Sequence, residues 1–322
     1  MEDKEKQAGW EQKLLQELAT DALREKRNAR RWGIFFKSLM FLYIGVLIYA
    51  ANGDMFGTDS IKVSGKAGEH TALIDLVGVI APEEGVSADD VVTGLRDAFE
   101  DESTKAVILR INSPGGSPVQ SSYIYKEIKR LRDKHKEIPL YAVVSDICAS
   151  GGYYVASAAD KIYANESSIV GSIGVLMNGF GFVDAMDDLG VERRLMTAGE
   201  HKGMLDPFSP VKEEDQKHVQ VMLDDLHNTF IDVVKEGRGD RLSDDPKIFS
   251  GMFWSGNKAV ELGLVDGIGS AGYVAREVVG AEDIVDFTKD ADPLEKLVER
   301  MGASAARSLQ VLYKPDISAQ LR

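Results

Sequence analysis

The chain has 322 residues, with 52 acidic against 38 basic side chains, a formal net charge of −14 and a pI near 4.9. Hydrophobic residues at 44% and charged residues at 28% exclude wholesale disorder, and the acidic balance argues against a nucleic-acid partner, which needs clustered Lys and Arg. The single cysteine excludes an intramolecular disulfide and a cysteine-based zinc site.

In chain order, Trp10, Leu14, Leu15, Leu18 and Ala22 recur at helical spacing, so residues 1–31 read as a short amphipathic segment ending in basic residues. Ser38–Ala51 is uncharged and mostly apolar. With Trp32–Phe36 it makes about twenty helical residues, enough for a hydrocarbon core of roughly 30 Å. Lys37 interrupts the run near one end, where its stem can reach toward headgroups. Upstream lie Arg24, Lys26, Arg27, Arg30 and Arg31 beside Glu25 alone, whereas only Asp54 and Asp59 precede Lys62 downstream. The positive-inside rule then places the N-terminus in the cytoplasm and the body across the membrane. A cleaved signal peptide fits less well, because its n-region would exceed about thirty residues and no clean small-x-small site follows. Residues 32–52 are therefore expected to be an uncleaved anchor, and 53–69, rich in Gly, Ser, Lys and Asp, a linker. Beyond residue 51 the body holds 29 basic against 45 acidic side chains.

From residue 70 to 290 strands and helices alternate, which predicts an α/β fold. Thr71–Ile80 reads as a strand, Asp89–Phe99 as a helix, Ala106–Ile111 as a strand and Val119–Arg132 as a helix. Leu140–Val144 is a third strand, followed by a small-residue helix from about Ala149. Short β segments are expected at Ile162–Ala164 and Ser172–Met177, a helix at Val183–Leu189 and a strand at Val191–Met196. A long helix covers Glu213–Lys235, a shorter one begins at Ala259–Leu262, and residues 291–322 form a helical tail.

Three segments carry chemistry. Asn112-Ser-Pro-Gly-Gly116 directly follows a buried strand, and its glycines allow positive φ and leave amides unshielded for an anion. In Cys148-Ala-Ser-Gly-Gly-Tyr-Tyr154 another strand hands over to a helix. Ser150 is a nucleophile or simply an N-cap, but a cap does not require two following glycines. Cys148 two residues earlier departs from the G-x-S-x-G elbow. The third segment, Thr197–Phe208, offers Lys202 among small and apolar residues, and a desolvated lysine can serve a serine as general base. Of the five histidines, His70, His135, His218 and His227 stand in linker or charged helical contexts and are read as surface residues. His201 is distinguished by preceding Lys202.

These motifs, Asn112–Gly116, then Asp146-x-x-Ala-Ser-Gly-Gly-Tyr-Tyr154 with Ala158-Ala-Asp-x-Ile162, Gly171-Ser-Ile-Gly-Val175 and Gly199-x-His-Lys202, resemble the signal peptide peptidase A family in its short bacterial form. The likeness covers roughly Thr71–Ser270. It implies a ClpP/crotonase-like core of repeated ββα units and a Ser–Lys dyad with Ser150 as nucleophile and Lys202 as base. It also implies an oxyanion hole from the amides of Gly116 and Gly151, and a supporting hydrogen bond from Ser172 to the lysine. Val119, Tyr123, Val175 and Met177 are expected to line the substrate pockets. No cofactor or metal is implied. The expected partners are apolar peptides such as cleaved signal peptides, the membrane and a homo-oligomeric ring, in which serine and lysine come from neighbouring protomers. The expected location is the cell inner membrane, with a single pass and an extracytoplasmic body.

Two other classes remain open at this stage. A crotonase-type acyl-CoA enzyme would share the core and an oxyanion hole, but would use carboxylates and has no need of an anchor. A silent scaffold for membrane proteases would be expected to lack Ser150 or Lys202, and both are present.

Overall fold

A computed structural model describes residues 27, 30–43, 68–83 and 85–289. The expected amphipathic segment before residue 27, residues 44–52 of the expected anchor, most of the linker and the C-terminal tail fall outside the described residues. The chain divides into two compact units, Met1–Ser60 with Asp292–Arg322, and Ile61–Ala291. In the first, residues 30–43 are helical, with Trp32, Phe35 and Phe36 clustered at ring separations of 5.7–5.8 Å. Among the described residues, no helix is long and apolar enough to cross a membrane.

The second unit is built on a mostly parallel sheet. Strand β1 (His70–Val77) leads through helix α1 (Ala88–Glu100) to β2 (Thr104–Ser113), and helix α2 (Pro118–Lys134) leads to β3 (Leu140–Ala149). The short helix α3 (Gly151–Ala156) follows β3 at once, before β4 (Lys161–Ala164) and β5 (Ile169–Gly171). Beyond α4 (Val183–Asp188) and the long α5 (Glu213–Arg238) come β6 (Phe253–Ser255), α6 (Gly256–Glu261), β7 (Gly267–Ile268) and β8 (Ile284–Asp286). The strands lie in the order β6-β5-β3-β2-β1-β8, with β4 also on β3 and β7 on β4. The β5–β6 pair is antiparallel and the other pairs are parallel. Single strands alternate with helices through α3, and among the described elements only β4 and β5 follow one another directly, so the expected ββα unit occurs once, as β4-β5-α4.

Covered parallel strands bury both faces and read as near-continuous apolar runs, as in AVILRI of β2. Ala72, Ile74, Leu76, Val107, Leu109 and Ile111 face one core with Leu95, Phe99, Ile124 and Ile128 from α1 and α2. Leu73, Ile108 and Val143 face the other side, against Val274 and Ala275. Successive side chains of a strand point to opposite faces, so the sheet is sandwiched between helices. Ser87 and Ser117 cap α1 and α2 by accepting from the amides of Asp90 and Gln120. Tyr154 of α3 packs on Tyr125 and on Phe230 of α5, at ring separations of 5.5 and 5.2 Å.

Two expected β segments are not strands. The β element near Ser172 is Ile169–Gly171, and Ser172–Met177 leaves the sheet where Gly171, the last residue of that strand, and Ser172 take φ of 118° and 54°, outside the β region. Val191–Met196 is exposed throughout and has no strand neighbour, so its apolar content finds no ladder to join.

Candidate active site

Three turns meet at the carboxyl ends of parallel strands, where α/β sheets place their ligand crevices. Pro114–Gly116 follows β2, Ser150 follows β3 and Ser172 follows β5. The Asn112 side chain joins the first two turns, donating to Asp146 at 3.0 Å and accepting from the Ile147 amide at 3.2 Å. Asn112 and Ser113, whose hydroxyl accepts from the Gly115 amide at 3.1 Å, thus shape the turn rather than react.

Ser150 has φ 51° and ψ −122°, a conformation that L residues rarely adopt and that proteins retain mostly at functional positions. Its amide donates to Gly171 O and its carbonyl accepts from the Tyr154 amide, each at 2.9 Å, so the strain is held from both sides. Ser150 occupies the N-cap position of α3, yet its hydroxyl makes no cap hydrogen bond. The bland cap role is therefore not what its side chain performs.

Gly116 supplies the second wall. Ile80 bridges it, donating to Gly115 O at 2.9 Å and accepting from the Ser117 amide at 2.8 Å, so the N–H of Gly116 itself points away from Ile80. A Cβ built on Gly151 would lie 3.2 Å from that nitrogen and 2.5 Å from Ser121 Oγ, so the two glycine-rich turns touch backbone to backbone. At Gly116, with φ 151°, a Cβ would come within 2.1 Å of Ile80 O. Gly116→Ala is accordingly expected to cost about 2 kcal/mol or more of stability, checked by urea unfolding, and to lower kcat/KM in parallel.

A cleft of about 920 Å³ opens over these turns. Ser150, Gly116, Gly151, Ser172, Val119, Tyr123 and Val175 line it, together with Leu176, Leu226 and Phe230. Met177 does not: the chain has left the sheet after Gly171, and Leu176 takes the lining position instead. Ser172, also at positive φ, is fixed by its amide donating to Met252 O at 2.7 Å. Cys148 is fully buried beneath the site, and burial pushes its thiol up, so it packs and does not ionise.

Lys202 is not brought to the cleft within one chain. It lies on an exposed turn, its amide donating to Gly199 O at 3.2 Å. Its neighbour His201 contacts Asp215, with Nδ1 2.5 Å from Oδ1, and this hydrogen bond raises the imidazole above its ordinary value. The exposed ligand atoms of Glu200, His201 and Glu214 lie within 4.8 Å of one another, but none of the three lines the cleft, and His201 is already engaged by Asp215.

Two histidines depart from the surface reading. His70 is buried in β1, its Nε2 3.3 Å from the Thr104 hydroxyl. His227 lines the cleft and donates from Nε2 to Ile173 O at 3.2 Å. Its only signal in the sequence is helical phase, since it stands three and seven residues before the buried Phe230 and Val234.

The model of Peptidase family S49 matches residues 132–284. A Brucella abortus protein named Na(+)/H(+) antiporter NhaA is 48% identical over 186 residues, covering 58% of this chain but only 25% of that protein. The chain therefore spans about a quarter of that relative's length. An Enterococcus faecium protein designated a candidate signal peptide peptidase SppA is 33% identical, over 66% of this chain and 63% of the relative. A Synechocystis protein designated a candidate protease is also 33% identical, over 71% of this chain and 82% of the relative. With the serine, the paired glycine amides and the cleft on the same strand ends, the chain belongs to peptidase family S49, the signal peptide peptidase A-like serine peptidases.

Proposed function

We propose that the protein is a membrane-anchored serine endopeptidase that degrades apolar peptides, such as cleaved signal peptides, with a Ser150–Lys202 dyad. The observation that carries this reading is the convergence of Ser150 and the Gly116 and Gly151 amides on one largely apolar cleft. In the proposed chemistry neutral Lys202 takes the Ser150 proton as Oγ attacks a peptide carbonyl. The oxyanion then accepts from the two glycine amides, each donor contributing about 3 kcal/mol in comparable sites. Protonated Lys202 gives its proton to the leaving amine, and water, deprotonated by the same lysine, releases the acyl group. Ser172 holds the lysine ammonium by a hydrogen bond.

The lysine is proposed to come from a neighbouring copy in a homo-oligomeric ring. In support, no residue from 174 to 214 is buried, and this arm exposes Leu176, Phe180, Leu189 and Met196 at 78, 82, 78 and 94%. An apolar surface of this extent calls for a partner, and a second copy would cover it while delivering Lys202. The proposed core is ClpP/crotonase-like, anchored by residues 32–52 with the N-terminus cytoplasmic and the peptidase body extracytoplasmic.

The test is subunit mixing. Lys202→Ala is expected to abolish turnover while leaving the oligomer intact by light scattering. Co-expressing Lys202→Ala with Ser150→Ala should restore about one site in four, the statistical share of interfaces that join an intact serine to an intact lysine in a head-to-tail ring. No recovery in co-assembled rings would overturn the shared dyad, and full activity of Lys202→Ala would overturn the choice of base.

A further inference from the structure

We propose that Lys126 is a specificity-determining residue that binds a carboxylate of the substrate peptide, so that the cleft takes apolar peptides bearing an acidic group at a set distance from the cleaved bond. This rests on the peptidase reading above. The first observation is the charge of the cleft. The chain carries 52 acidic side chains, yet among the described residues no Asp or Glu lines the cleft, whose basic side chains are Lys126 and His227.

The second observation is pairing along α2. Of its five basic residues, four have carboxylate partners: Lys129 with Glu236 at 3.1 Å, Arg130 with Glu127 at 2.7 Å, Arg132 with Asp160 at 2.9 Å and Lys134 with Glu100 at 3.9 Å. Among the described residues Lys126 has no carboxylate within 4.0 Å. Helical phase explains the difference. Lys126 stands three, four and seven residues after Tyr123, Ser122 and Val119, which also line the cleft, so it shares their face.

Position along the helix sets the subsite. Ser121, in the first turn of α2, touches Gly151 at the reacting end of the cleft. Lys126 lies five residues further on, about 7.5 Å along the axis, which is roughly the span of two extended peptide residues. Either an acidic side chain or the C-terminal carboxylate of a short peptide supplies the same chemistry at that distance. His227, whose Nε2 is occupied by Ile173 O, lies in the same cleft and adds no negative charge to compete.

Quenched fluorescent peptides with an apolar core test this with the full-length protein in detergent. They carry Glu, Gln or Lys at the second or third residue on either side of the cleaved bond, and each sequence is made with a free and with an amidated C-terminus. The wild-type enzyme is expected to prefer Glu over Lys by about fivefold in kcat/KM on one side of the bond, with the preference fading in high salt. A preference for the free over the amidated C-terminus instead would identify the terminal carboxylate as the ligand. Lys126→Gln should bring the ratio close to one, and Lys126→Glu should invert it. Cleavage without charge preference, or a preference that persists in Lys126→Gln, would overturn the proposal while leaving the peptidase reading standing. Cleavage of none of the peptides would overturn both.

Discussion

Ser150→Ala is expected to lower peptide hydrolysis by about 10⁴-fold or more, the scale seen when a nucleophile is removed from a serine peptidase and only the oxyanion hole and binding remain. The expectation is sharp because the other nucleophile-type side chains beside Ser150 are already committed. Cys148 is fully buried with its thiol pushed up, and Asn112 and Ser113 are committed to the turn. The backbone should survive, because alanine at φ 51° meets nearly the same strain as serine, and the bonds that the residue 150 amide donates to Gly171 O and its carbonyl accepts from the Tyr154 amide do not involve the hydroxyl. The measurement is kcat/KM on an apolar peptide, with covalent labelling by a fluorophosphonate as a second readout. Activity within tenfold of wild type would place the nucleophile elsewhere, and Ser172, the other strained serine of the cleft, would then be the residue to test.

Arg238→Ala is expected to be the most damaging change outside the cleft. Arg238, 1% exposed, donates from Nε to Gly263 O at 2.9 Å and from Nη1 to Asp266 at 2.7 Å. Asp266 also accepts from the Ile162 amide at 2.7 Å and from Arg241 at 3.0 Å, so one carboxylate ties the end of α5 to β4 and the β7 approach. Burial opposes ionisation of Asp266, yet the hydrogen bond and charge of Arg238, the Ile162 amide and the charge of Arg241 together outweigh it, and the carboxyl is held below its ordinary value of 3.8. Removing Arg238 leaves the half-buried Asp266 with only Arg241 and the Ile162 amide and opens a void at α5, at a cost of about 3 kcal/mol, far more than the intact pair contributes over an apolar replacement. For a unit of this size that is a fall in Tm of roughly 10 °C. A folded carboxyl value below the unfolded one stabilises the protein above the unfolded value, and this contribution is lost as pH falls through the folded value. Wild-type stability should therefore drop below about pH 4, and that part of the drop should shrink in Arg238→Ala. Urea midpoints from pH 3 to 7 measure both effects. A loss under 1 kcal/mol would mean that the buried pair is dispensable.

Local pattern explains much of what was legible. Apolar spacing located α1, α2 and the first three strands within a few residues, because those elements bury one face or both against a single core. Turn chemistry located Gly116, Ser150 and Gly151, because only glycine tolerates the contacts at 115–116 and a serine beside two glycines has little reason to be mere packing. Pattern failed where the partner was missing. Val191–Met196 has strand composition but no neighbouring strand, and Ser172–Met177 is turned out of the sheet by two positive φ angles that composition does not encode. His227 stands 77 residues from Ser150 in the chain, and only the packing of α5 over α3 puts both in one cleft.

The same division applies to the whole molecule. Short-range sequence sufficed for the strand–turn–helix handovers and for the residue types able to attack a carbonyl or receive an oxyanion, since these depend on φ, ψ and side-chain chemistry within a few residues. The meeting of the β2, β3 and β5 turns needed the fold, because parallel register aligns strand ends that the chain separates by whole helices. The fold also left Lys202 outside the cleft of its own chain, on an arm whose apolar side chains have no cover. Residue spacing carries no record of either outcome, since both depend on which surfaces a packed core leaves exposed.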